Sequence, residues 1–139
     1  AMLVGSCLAG ISFLKGLGLV HAMSHMVGAT CDTHHGLTNA VLLPPVLLFN
    51  KNALEEKVPL ICKAMGLPSE DFHSMYSSVV GLLDALEIPR GLSDLNVPET
   101  ALDSIAQKAH TDAARSTNPV SSTVSEIRDV LGQSFLNAR

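Results

Sequence analysis

Apolar residues in this chain recur at steps of three and four, and no stretch of five residues alternates as a half-buried strand does. That period restricts the fold to helices. Val41–Leu48 is apolar enough for a buried strand, but Pro44 and Pro45 sit in its middle and cannot supply ladder donors. Phe72, Met75, Tyr76, Val79, Leu83 and Leu86 define one helical face, with Ser69 as its expected N-cap and Pro89 and Gly91 as its end. A preceding helix is expected to start at Asn52, with Glu55 as capping-box partner. It presents Leu54, Val58, Ile61 and Met65 before Gly66 and Pro68 stop it. Pro98 begins a short helix with Leu102, Ile105 and Ala109. A last helix starts near Thr123, with Glu126 three residues on, and shows Ile127, Val130, Leu131 and Phe135. The fold class read from these patterns is all-α, in one domain spanning residues 1–139.

Charge is unevenly distributed. Residues 1–50 hold only Lys15 and Asp32, although the chain has 9 basic and 13 acidic residues, and the same stretch holds His21, His25, His34 and His35. A nearly uncharged segment with clustered imidazoles reads as core that carries chemistry. Met2–Leu14 is expected to be one helix within that core, broken by Gly16 and Gly18 and too short to span a membrane. A second helix should run from about Leu19 to Cys31. A turn around residues 32–36 then leads into a third over Leu37–Leu43, interrupted or restarted by Pro44 and Pro45. The net charge of −4 opposes a nucleic-acid module, which needs a basic stripe to neutralise phosphates. Three cysteines without a close pair, Cys7, Cys31 and Cys62, suit a reducing compartment such as the cytoplasm rather than a disulfide framework. The start at Ala1 reads as a trimmed chain or a fragment.

His21 and His25 are four residues apart and share one helix face. His35 follows beyond the turn, where a returning helix brings it toward His21. Converging neutral imidazoles suit Zn, Fe(II) or Ni. Read from residues alone, the pair is equally an ordinary half-buried one, because it lacks the Glu of a zincin motif. Cys31 and His34, also at helix spacing, form a rival set with His35, against the plainer reading of a buried thiol and a solvated turn residue.

The wider string is Gly16-Leu17-Gly18-Leu19-Val20-His21-Ala22-Met23-Ser24-His25, then Val27-Gly28-Ala29, then His35-Gly36-Leu37-Thr38-Asn39-Ala40-Val41-Leu42-Leu43-Pro44. It resembles the signature of the iron-containing alcohol dehydrogenases. Phe49-Asn50 and Thr117-Asn118-Pro119 extend the likeness over essentially the whole chain. The resemblance implies a dehydroquinate-synthase-like fold in which His21 and His35 match two of four metal ligands. His25 matches the histidine near nicotinamide and substrate that is proposed to relay the alcohol proton. Gly36 and Asn39 match residues that shape the turn after the second ligand. Met26, His34, Pro45 and Val120 replace the usual Pro, Pro, His and Arg, departures that bear on substrate preference more than on metal binding. Retention of His35-Gly36 with Asn39-Ala40 favours an alcohol dehydrogenase over the related maleylacetate reductases.

The family's other two ligands, an Asp and a His, and its Gly-rich nucleotide-binding domain are expected upstream of Met2. This chain then corresponds to the C-terminal part of the helical domain. The implied cofactors are a divalent metal, Fe(II) foremost with Zn(II) or Ni(II) as alternatives, and NAD or NADP in the intact enzyme. The implied partners are a small alcohol or aldehyde, the upstream domain and further copies of the protein, with neither nucleic acid nor membrane. The isolated chain is expected to be inactive. The alternatives are a free-standing helical domain that binds metal or a partner without catalysis, and a fragment of a maleylacetate-reductase-like relative.

Overall fold

The computed structural model describes all 139 residues, and every regular element is helical: α1 Met2–Ser12, α2 Leu19–Cys31, α3 His35–Asn50, α4 Val58–Met65, α5 Phe72–Ala85, α6 Leu102–Thr111 and α7 Val124–Leu136. Short 3-10 turns join them at Phe13–Lys15, Lys51–Leu54, Leu92–Leu95, Glu99–Ala101 and Ala113–Thr117. The all-α reading holds, and Val41–Leu48 is helical.

The α2–α3 hairpin is central. Leu19, Met23 and Val27 of α2 pack with Val41, Leu42 and Val46 of α3, and Leu102, Ile105, Ala106 and Ala109 of α6 and Ile127, Val130 and Leu131 of α7 close the same core. A smaller cluster, Val58, Cys62 and Met75, joins α4 to α5. Burying such aliphatic side chains contributes about 1.5–3 kcal/mol each, so the hairpin that carries His21, His25 and His35 is anchored in the main core.

Local chemistry sets most helix ends. Asp32 adopts a left-handed conformation (φ 54°) at the end of α2, and its N–H bonds to the Gly28 carbonyl at 2.9 Å. His34 then caps α3, its Nδ1 accepting from the Leu37 N–H at 3.3 Å. Thr123 and Glu126 form the expected capping box on α7. Gly66 ends α4 at φ 69°.

Five sequence expectations need correction. Met2–Leu14 is helical up to a final 3-10 turn, but it is not core: none of its residues is buried, and Leu3 and Leu14 are 87% and 90% exposed. The Gly16–Gly18 turn swings the chain 99° between the α1 segment and α2, and α6 and α7 already cover the hairpin, so α1 finds no partner within these 139 residues. The prolines do not interrupt α3, which runs unbroken through Pro44 and Pro45. Each forfeits a helical hydrogen bond, but both are buried, and core packing outweighs the loss.

Third, α4 starts at Val58 rather than Asn52. Pro59 is tolerated only in a first turn, so Asn52 and Glu55 make no capping box. Fourth, α5 is capped by Asp71, whose Oδ1 accepts from the Ser74 N–H at 2.8 Å, while Ser69 bonds the other carboxylate oxygen. The same helix stops at Ala85, ahead of Pro89, with Glu87 left-handed just beyond it. Fifth, Pro98 precedes a 3-10 turn and the α6 helix proper begins at Leu102. No single helix is long and apolar enough to cross a membrane.

Candidate functional site

Helix spacing puts His21 and His25 on one face of α2, and the tight turn at residues 32–34 returns α3 so that His35, in its first turn, meets them. The His21 and His35 ring centroids are 5.3 Å apart, His25 and His35 are 5.6 Å apart and nearly parallel, and His21 and His25 are 5.8 Å apart. The three residues singled out from the sequence therefore form one cluster. Phe13 lies edge-on to His21 at 5.8 Å.

His21 and His35 turn the same ring atom inward. The Asn39 Nδ2 lies 3.4 Å from His21 Nε2 and 3.0 Å from His35 Nε2. An amide nitrogen can donate to both only where each Nε2 offers its lone pair. The two Nε2 atoms thus converge on one point beside α3. Burial, reinforced by the neighbouring His35 and His25 rings and opposed by Asp112, holds the His21 pKa below its ordinary value. That shift favours the neutral ring, the form able to act as a ligand. Asn39 Oδ1 is buried without a partner, so this corner is not a closed hydrogen-bond network.

These donors suit part of a divalent coordination sphere. Neutral imidazole nitrogens suit Fe(II), Zn(II) and Ni(II), and a convergent pair supplies two positions. No three His, Cys, Asp or Glu side chains in the chain are arranged to share one cation, so further ligands would have to come from elsewhere. The rival set does not assemble this way. His34 is committed to capping α3, and Cys31 is a half-buried thiol whose pKa burial raises, away from thiolate.

Two features were missed in sequence. Asp112, just after α6, places Oδ2 3.1 Å from His25 Nδ1, a contact across 87 residues that no local pattern announces. The Asn118 side chain, within the quoted Thr117-Asn118-Pro119 element, is the cap that Gly18 cannot provide. Its Oδ1 accepts from the Leu19 N–H at 3.1 Å and from Asn50 Nδ2 at 3.0 Å, and its Nδ2 donates to Asn50 Oδ1 at 2.8 Å. The α2 start, the α3 end and the loop before α7 are fastened through this amide pair. Gly16 is required beside it, because a Cβ there would collide with the Thr117 side chain. A cavity of about 330 Å³, lined by Leu17, Val20, His21, Asn39, Ala40 and Leu43, opens next to the cluster.

Comparison with known proteins gives a consistent result. The sequence profile of the C-terminal region of the Fe-containing alcohol dehydrogenase family matches residues 1–135. The chain is 35% identical over 133 residues to lactaldehyde reductase of Escherichia coli K12, covering 91% of this chain and 35% of that protein. It is 35% identical over 141 residues to 1,3-propanediol dehydrogenase of Citrobacter freundii, covering 96% and 36%. The structure superimposes on a crystal structure of 1,3-propanediol oxidoreductase with a TM-score of 0.80 and 35% identity, over 85% of this chain and 32% of that one. Maleylacetate reductase from Agrobacterium tumefaciens gives 0.70 and 25%, over 86% and 32%. The chain spans about a third of the length of the curated relatives it matches.

Proposed function

The chain belongs to the Fe-containing alcohol dehydrogenase family, as a C-terminal region, and from that membership we infer that it supplies half of the metal site and the proton-handling histidine of an NAD(P)-linked alcohol dehydrogenase. The observation that carries this reading is the convergence of His21 Nε2 and His35 Nε2 on one point, with His25 stacked on His35. His21 and His35 would hold the metal, Fe(II) foremost with Zn(II) and Ni(II) as alternatives. A divalent cation supplies Lewis-acid stabilisation of negative charge on a substrate oxygen.

The residues of the chain do the rest of the local work. Burial lowers the His21 pKa and so favours the unprotonated ring that can bind. His25, bonded to Asp112 through Nδ1, can exchange a proton at Nε2 with the substrate hydroxyl or a water. Leu17, Val20, Ala40 and Leu43 give the adjoining cavity an apolar lining suited to the carbon chain of a small alcohol or aldehyde. The greater likeness to propanediol oxidoreductase than to maleylacetate reductase favours an alcohol substrate.

Nicotinamide binding and the remaining metal ligands are assigned to the part of the parent protein that this chain does not include. The exposed apolar faces of α1 support packing against that part or against further copies of the protein. The three free cysteines support a reducing compartment such as the cytoplasm.

Alcohol-dependent reduction of NAD or NADP tests the reading, measured on the 139-residue chain and on the longer parent protein with Fe(II), Zn(II) or Ni(II) added. Turnover is expected only from the longer protein, because hydride transfer needs the nicotinamide held against the substrate carbon. Turnover by the chain alone, or none by the metal-loaded parent across small alcohols, would leave the reading untenable. The second outcome would favour a non-catalytic helical domain.

A further inference from the structure

Asp112 caps the 3-10 turn after α6, and both its oxygens are spoken for. Oδ1 accepts from the Ala114 N–H at 2.7 Å, and Oδ2 lies 3.1 Å from His25 Nδ1. The Ala114 carbonyl in turn accepts from the Gly18 N–H at 2.9 Å, so the turn that holds the carboxylate is fastened to the start of the helix that carries His25. The Asp112 side chain is only 14% exposed, and a carboxylate withdrawn from water needs strong partners. No lysine or arginine supplies one: the adjacent Arg115 gives its guanidinium to the carbonyls of His110 and Ser122 at 2.7 and 3.2 Å. The one side chain that meets the carboxylate is His25.

An ionised carboxylate only accepts hydrogen bonds, so the His25 proton facing it must sit on Nδ1. In the neutral ring the opposite nitrogen is then an acceptor. We propose that Asp112 is the positioning residue of His25, fixing its ring orientation and its Nδ1–H tautomer so that Nε2 presents a lone pair away from Asp112. The proposal rests on the reading of His25 as the proton-handling histidine for its functional meaning, and on the Asp112 geometry alone for its structural content. His21 and His35 receive no such carboxylate, and their Nε2 atoms meet the Asn39 amide instead. The cluster is thereby divided into two rings prepared as ligands and one prepared to exchange a proton.

Nitrogen-15 NMR of the histidine ring nitrogens in the 139-residue chain, above pH 7, reads the tautomer directly. His25 is assigned from the resonance lost in His25→Ala. In the wild-type chain the Nδ1–H form of His25 should exceed the Nε2–H form by about tenfold or more, as a charge-assisted bond to one nitrogen demands. Asp112→Ala should release it to a mixture in which Nε2–H predominates, with helical circular dichroism unchanged. A wild-type ring in the Nε2–H form overturns the proposal, as does a folded Asp112→Ala chain with an unaltered tautomer ratio. Should Asp112→Ala fail to fold, the wild-type spectrum alone decides. A merely structural Asp112 would not move the tautomer ratio. A fixed tautomer beside an inactive parent protein would refute only the dehydrogenase reading, and activity with a free tautomer would refute only this proposal.

Discussion

Asn118→Ala should be among the most damaging substitutions of a partly exposed side chain in this fold. The wild-type amide makes four hydrogen bonds: from the Leu19 N–H, to and from the Asn50 amide, and to the Val120 carbonyl at 2.8 Å. The Val120 carbonyl is half-buried and can turn to water, so its loss costs little. Leu19 is 1% exposed and opens a helix whose N-cap is a glycine, so losing its acceptor resembles losing a cap, about 1 kcal/mol. Asn50 is 6% exposed, and a buried amide stripped of its partner costs about 1–3 kcal/mol. The sum is about 3 kcal/mol, or a fall in Tm of about 10 °C for a chain of this size. Urea denaturation followed by far-ultraviolet circular dichroism measures it. Because the largest share comes from orphaning Asn50, the Asn50→Ala/Asn118→Ala double variant should cost less than the two single variants together, by about 0.5–3 kcal/mol. A loss below about 0.5 kcal/mol for Asn118→Ala, or strict additivity in the cycle, would refute the reasoning.

Other substitutions follow the same logic. Met23→Ala, at a fully buried position facing both α3 and α6, should cost about 2–5 kcal/mol in the same denaturation assay. Thr123→Ala should cost about 1 kcal/mol by removing the α7 cap. A thiol reagent should modify exposed Cys7 in the native chain and reach Cys62 only on unfolding. The carboxyl of Asp71 is held below the usual range by bonds from Ser69 and Ser74, and that of Glu126 by bonds from Thr123. Because folding lowers both pKa values, their stabilisation is complete above the ordinary carboxylate range and is lost as pH falls through the folded values. Acid titration of Tm should show Asp71→Asn and Glu126→Gln converging on the wild type at the acid end.

What could be read from the sequence was local. The α2 limits at Leu19 and Cys31 follow from glycines and a turn. The Thr123–Glu126 capping box and the His21/His25 face likewise need only a few adjacent residues. What could not be read depends on residues distant in sequence. Asp112 meets His25 across 87 positions and Asn118 meets Leu19 across 99, and neither contact leaves a trace in helical periodicity. Pro44 and Pro45 signal a break by local rules, which burial against the α2–α7 core overrides. The opposite failure occurs in α1, where apolar composition signals burial but no residue of the helix is buried. Leu86 likewise falls on the α5 face by spacing yet is 61% exposed, because spacing cannot tell which flank of a broad apolar stripe meets a neighbour.

Paramagnetic cobalt(II), titrated into the 139-residue chain at neutral pH while the histidine ring resonances are followed, tests the metal assignment most directly. Cobalt(II) is accepted by the same imidazole donors as Fe(II) and Zn(II). The His21 and His35 signals should broaden first, with His25 following through its proximity and His73 and His110 unaffected. His21→Ala or His35→Ala should abolish the selectivity, and His25→Ala should leave it intact. Broadening centred on His34, or equal broadening of all six histidines, would contradict a metal site built from His21 and His35.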